Sequence, residues 1–124
     1  MYYNNSKDTY GAYMPRFELE NDIKQKHLVI RLSGRIAGEA SIDLYKQIKT
    51  LLEKHEKLNL VLDFKKLDFI DSSGLGFLVA VNSTLLKQGR TLTLSTVPEN
   101  LMDLLKITNL DRVLKIVPSV ENAI

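Results

Sequence analysis

Hydrophobic residues change their spacing several times along this chain, and that alternation limits the folds open to it. "HLVIRLSG" (27–34), "LNLVLDF" (58–64) and "TLTLS" (91–95) are short apolar or alternating runs with the character of strands, and "FELE" (17–20) predicts a shorter first strand before a polar turn, "NDIKQK". Between them the period shifts to three and four. In "EASIDLYKQIKTLLEKHEK" (39–57), Ile42, Tyr45, Ile48, Leu51 and Leu52 recur along one helical face. "GLGFLVAVNSTLLKQG" (74–89) is long enough for a second helix, with Gly89 where a left-handed C-terminal cap belongs. "TVPENLMDLLKI" (96–107) predicts a third. Thr96 precedes Glu99 at capping-box spacing, Pro98 is tolerated in the first turn, and Asn109 is placed to end the helix before a closing strand in "RVLKIVPS" (112–119). Strands alternating with helices predict a small single α/β domain: a mixed, mostly parallel β-sheet with helices packed against it. The near-continuous apolar run at 58–64 is the pattern of a strand covered on both faces by helices.

The 124 residues suffice for one compact core, since a domain of this size buries roughly two-thirds of the surface its unfolded chain exposes. No cysteine is present, which removes disulfides, thiolate metal sites and cysteine nucleophiles. Seventeen basic residues face fifteen acidic ones, scattered without a basic block, a poor footprint for nucleic acid. No apolar stretch approaches the ~20 residues of a membrane-spanning helix, and "MYYNNSKDTYGAY" lacks the charged-then-apolar layout of a signal segment. The expectation is a cytoplasmic protein with no membrane insertion. Residues 1–15, polar with interleaved tyrosines and without strand or helix period, are expected to be a flexible tail ahead of a domain spanning 16–124.

The chemistry of interest lies in "LDFIDSSGLGFLVA" (67–80), where an acid, two serines and a glycine pair interrupt two apolar segments. Asp71 or Ser72 suits the N-cap of the following helix, accepting hydrogen bonds from unpaired backbone N–H groups. On a helical projection Leu75, Leu78, Val79, Leu85 and Leu86 form the core stripe. Gly76, Ala80, Ser83 and Lys87 lie on another side, with Phe77 and Thr84 nearby, a flat and largely uncharged face suited to a partner's surface. A phosphate on Ser72 would meet the positive end of the helix while adding a charge of about −1.5 to −2 beside Asp71.

From about Phe17 to Ala123 the chain resembles the STAS domain of bacterial anti-sigma factor antagonists, in the hydrophobic strand ending in Asp, D-S-S-G-L-G opening a helix, a glycine before the next strand, then a helix and a closing strand. The resemblance implies that Ser72 is the residue phosphorylated by a partner that is both anti-sigma factor and serine kinase, with Ser73 the lesser candidate acceptor. It implies that the unphosphorylated chain binds that kinase and frees a sigma factor, that phosphorylation ends the binding, and that a PP2C-type phosphatase restores it. Asp71 would help present the hydroxyl, and Ser73, Gly74, Gly76, Phe77 and Ala80 would join it in the partner-binding surface. The kinase supplies nucleotide, metal and base, so no catalytic residue, metal or cofactor is expected in this chain. One motif departs: many antagonists carry G-x-x-D after the second strand, whereas Arg35, Ile36 and Ala37 follow Gly34. STAS domains also serve as scaffold subunits of membrane-associated or lipid-transport assemblies, which is the alternative reading.

Other chemistry finds less support. Asp63, Asp68 and Asp71 all come from one segment, unlike the two-strand acidic cluster of a receiver domain, and Asp63 and Asp68 read as solvated loop acids. Serine hydrolysis would need G-x-S-x-G, which is absent, and a base from His27 or His55, both expected at the surface.

Overall fold

A computed structural model describes residues 5–7 and 13–124. Strands β1 (Asn5–Lys7) and β2 (Tyr13–Pro15) pair antiparallel, so part of the expected tail forms a small ribbon. Three-residue pairing is too short to leave an alternation in the sequence. The rest of that tail, residues 1–4 and 8–12, lies outside the described residues.

The main sheet runs in chain order through β3 (Phe17–Lys24), β4 (His27–Ile36), β5 (Asn59–Ile70), β6 (Leu92–Ser95) and β7 (Lys115–Val117). The first pair is antiparallel and the others are parallel. Helices α1 (Glu39–Lys54), α2 (Ser72–Lys87) and α3 (Glu99–Ile107) make the three crossovers. Three strands outgrow their expected lengths, β4 by two residues to Ile36. β3 continues through "NDIK" because Asp22 and Ile23 pair with Val29 and Leu28, and β5 continues to Ile70 beside Ile36.

All three helices lie on one face of the sheet. Right-handed crossovers that always step in the same direction leave their helices on the same side. Leu28, Ile30 and Leu32, Leu60, Leu62 and Phe64, and Leu92 and Leu94 point into one core with Leu44, Ile48, Leu78, Leu85 and Leu105 of the helices. The expectation that helices cover both faces of the β5 run is therefore corrected. On the other side Val29 and Val61 are closed only by Val120, with Ala123 and Ile124, from a C-terminal 3-10 turn at Val120–Asn122. Asp63 shares that helix-free side and is only 9% exposed, so it is a strand residue beside Arg31 and not a solvated loop acid.

The helix ends follow local chemistry with one exception. Gly89 (φ 69°) and Asn109 (φ 60°) take the left-handed conformations expected after α2 and α3. The capping box does not form: Thr96 sits at φ 53° with its N–H bonded to Val117 O, and Pro98 occupies the N-cap. Strand pairing has taken the backbone that the box would need.

Arg90 locks the end of α1 distant from the turn at Asp71. It is buried, and its guanidinium donates to the carbonyls of Leu52 (3.1 Å), His55 (2.7 Å) and Leu58 (2.6 Å). Burial pulls its pKa below the usual arginine value while Glu56 opposes that shift. Arg90→Met is expected to lower stability by about 2–4 kcal/mol, because carbonyls held away from water lose their donor. Arg90→Lys should recover only part of this, since one ammonium cannot reproduce the planar fork. Urea unfolding of both variants measures the difference.

Candidate functional site

The site grows from the meeting of two strand ends. β4 and β5 run parallel to Ile36 and Ile70, and the N–H of Asp71 then donates to Ile36 O (3.2 Å). Asp71 takes extended backbone geometry as the N-cap of α2. Its Oδ1 accepts from the N–H of Gly74 at 3.0 Å, and its Oδ2 accepts from the N–H of Gly38 at 3.1 Å. One carboxylate thus caps the helix and ties it to the loop between β4 and α1. The sequence offers Asp71 or Ser72 as cap, and the structure gives the role to Asp71. The Gly38 contact crosses 33 positions and has no signal in sequence.

With Asp71 as cap, Ser72 is free of that duty. It is the first residue of α2, exposed, and no hydrogen bond holds its hydroxyl among the described residues. Ser73 is exposed beside it. The first turn of α2 contains no acidic residue, so its partial positive charge is unneutralised except by Asp71.

The remaining candidates separate by burial. Gly74 is buried, and a Cβ there would fall 2.2 Å from Ile70 Cγ1 and 3.0 Å from Ile36 O. Its small size lets the helix start against the two strand ends. Gly76 is exposed, with nothing within 4 Å of a Cβ. Ala80 is half-buried on the flank meeting α1, where Thr84 donates to Ala80 O and contacts the hydroxyl of Tyr45 at 3.0 Å. Phe77 is a correction: it is 4% exposed and belongs to the core, so its ring offers nothing to a visiting surface.

The projected core stripe is corrected in the same direction. Leu75, Phe77, Leu78, Val81 and Leu85 are buried, whereas Val79 and Leu86 are 44% and 61% exposed. Apolar residues surround α2 almost completely from Leu75 to Val81, so their pattern does not identify the inward side. The outward line is Ser72, Gly76, Val79, Ser83 and Leu86, spaced by four and three along one face. Val79 and Leu86 were missed because an apolar residue on a helix reads inward by default.

Glycine substitutions distinguish the structural from the open position. Gly76→Ala should raise stability by about 0.5–1 kcal/mol, the helical advantage of alanine over glycine. Gly74→Ala should lower it by about 1–2 kcal/mol, overpacking outweighing that advantage. Thermal or urea unfolding of the pair checks the opposite signs.

At the edge of the site Arg35, where the G-x-x-D pattern departs, places its guanidinium 4.3 Å from the ring centre of Phe69. Neither histidine stands near Ser72. His27 begins β4, about 30 Å of strand from its far end, and His55 caps the far end of α1, about 24 Å of helix away. Both are half-buried, less open than the sequence suggests. Among the described residues no three His, Cys, Asp or Glu side chains gather as a metal site, and no helix is long and apolar enough to cross a membrane.

The STAS domain model matches residues 18–123. This chain belongs to the STAS family. Within that family it is similar to the anti-sigma F factor antagonist of Paenibacillus polymyxa, with 25% identity over 107 residues, covering 86% of this chain and 92% of the relative. An anti-sigma factor antagonist from Mycobacterium paratuberculosis shares its fold with a TM-score of 0.77 at 20% identity, over 86% and 90% of the two chains. The Bacillus cell fate determinant SpoIIAA in its phosphorylated form gives 0.65 at 22% identity, over 86% and 95%. The small α/β domain with its five-stranded mixed sheet and three helices thus belongs to a known architecture.

Proposed function

We propose that this STAS domain is an anti-sigma factor antagonist controlled at Ser72. Unphosphorylated, it docks on an anti-sigma factor that is also a serine kinase, through Asp71, Ser73, the open surface at Gly76 and the outward line of α2. The observation that carries this reading is the division of labour at the turn: Asp71 caps the helix, leaving an exposed hydroxyl that the fold does not use. The similarity to antagonists, one of them known in a phosphorylated form, supports it.

In the switching step Ser72 Oγ attacks the γ-phosphorus of ATP, the bond to the β-phosphate oxygen breaks, and ADP leaves. The kinase's base takes the serine proton. The product carries about −1.5 to −2 charge at the start of α2, where the helix end stabilises it and the domain need not rearrange. A partner seated on the turn meets that charge beside the Asp71 carboxylate and is expelled. A PP2C-type phosphatase returns the hydroxyl by hydrolysing the ester, with water supplying the oxygen that leaves as phosphate.

Incubation with a serine-kinase anti-sigma factor from the same genome and ATP, followed by peptide mapping, tests the assignment. Label on Ser72 is expected. Label on Ser73 or the N-terminal fifteen residues alone overturns the site. A partner retained equally by phosphorylated and unphosphorylated chain overturns the switch and favours a constitutive scaffold.

A further inference from the structure

The two strand ends that lead to the switch turn carry a second feature, which the chemistry at Ser72 does not use. Arg35 of β4 and Phe69 of β5 are paired in register, one step before Ile36 and Ile70. Both reach the surface: Arg35 is exposed and Phe69 is 38% exposed. Ile36 and Ile70 point into the core, so Arg35 and Phe69 take the helix-free side of the sheet end. Phe69 precedes Ser72 by three residues, about 10 Å of chain at most, so one partner surface can span both.

Arg35 is oriented and yet unpaired. Its N–H donates to Arg16 O at 2.8 Å, which fixes its backbone, and its guanidinium lies 4.3 Å from the centre of the Phe69 ring, within cation–π range. Among the described residues no carboxylate forms an ion pair with it. Asp43 is taken by Arg16 and Asp71 by the N–H groups of Gly38 and Gly74, while Asp68 and Glu39 are exposed and stay apart from it. Ala37 stands where the G-x-x-D pattern carries its acid, so the chain leaving β4 presents a base and no acid before Glu39. A ring that already orients the guanidinium reduces the entropy that a free arginine loses on binding, and arginine with an aromatic residue is the pairing that most often anchors protein interfaces.

We propose that Arg35 and Phe69 form the specificity contact of the docking face: the guanidinium pairs with a carboxylate at the rim of the anti-sigma factor, whose adjoining apolar surface covers the open part of the Phe69 ring. This rests on the reading that the partner seats on the turn at Ser72. Local charge selects the chemistry. Three acids, Asp68, Asp71 and Glu39, lie within four residues of Arg35 or Phe69 in the chain, a setting that repels nucleic acid or a polyphosphate but leaves one guanidinium for one carboxylate. The planar fork of arginine matches a carboxylate through two parallel hydrogen bonds. The pair also couples recognition to the switch. A phosphate on Ser72 brings a charge of about −1.5 to −2 close to the partner's carboxylate, so the group that Arg35 attracts is the group that the phosphate repels.

Calorimetric titration of the unphosphorylated full chain with the serine-kinase anti-sigma factors of the same genome tests this. Arg35→Glu should weaken binding about 30-fold or more, and Arg35→Lys about threefold to tenfold, since lysine keeps the charge and loses the stacked fork. The urea midpoints of both variants should stay close to that of the native chain, because the side chain is exposed and holds no carboxylate. Replacing the partner's rim acids one at a time by lysine should, at one position, restore binding of Arg35→Glu to within about threefold of the native pair while weakening the native chain. Unchanged or tighter binding by Arg35→Glu overturns the proposal, and so does the lack of any restoring lysine. If Ser72→Asp still weakens binding in that event, the switch stands without this contact. If the native chain binds no such kinase, or neither Ser72→Asp nor Arg35→Glu alters binding, the docking face itself falls and the proposal with it.

Discussion

Ser72→Asp is expected to weaken binding of the anti-sigma factor about 100-fold or more, while Ser72→Ala binds as the native chain does but can no longer be released by kinase and ATP. The reasoning is local. Ser72 makes no hydrogen bond that the fold would lose, and it begins a helix whose first turn carries no acid of its own. A carboxylate there is welcomed by the helix end, by about 0.3–1 kcal/mol, so the variant should be as stable as the native chain or slightly more so. Lost binding therefore cannot be a folding defect. What changes is the surface: Asp71 already holds one negative charge on two backbone donors, and a second charge beside it must be desolvated when a partner seats on Gly76 and Val79. Calorimetric titration at two salt concentrations checks the claim, because a repulsive contribution shrinks as salt screens it. Binding by Ser72→Asp within about threefold of the native chain would sink the switch.

Gly34→Ala is expected to be the most damaging single methyl in the domain, lowering stability by about 3–5 kcal/mol out of a total that for such domains is about 5–15. Gly34 has φ 84°, a conformation that L side chains rarely adopt, and an added Cβ would stand 2.2 Å from Arg16 O. That oxygen cannot retreat freely, since it accepts from the N–H of Arg35 at 2.8 Å. Nor can β4 shift, because Gly34 is paired with Phe17 on one side and Leu67 on the other, and the strand already carries register irregularities on either side of this residue. Urea unfolding should show the loss as a lower midpoint with an unchanged slope. A midpoint equal to that of the native chain would mean that the strand end accommodates the methyl.

The contrast between these residues shows how far sequence reading reaches into the site. The turn at 71–76 announced itself, because small and polar residues between apolar runs are a local signal with a local cause. What each glycine does was hidden: Gly74 and Gly76 look alike in "GLG", yet one is pressed against Ile70 and Ile36 while the other meets nothing. Phe77, Val79 and Leu86 were assigned to the wrong sides of α2 for a related reason. Nearly every residue in that stretch is apolar, so the pattern could not say which side the sheet would take.

Period and turn chemistry, which act over a few residues, were enough to mark out the three helices and the main strands, to end α2 at Gly89 and α3 at Asn109, and to single out Asp71 and Ser72. Contacts between distant segments decided the rest: the Gly38 N–H on Asp71, the guanidinium of Arg90 on the end of α1, the row of Glu20, Arg31 and Asp63 across β3 to β5, and the crowding of all helices onto one side. None of these is written in any short window, because each depends on where the sheet brings together residues that the chain keeps far apart.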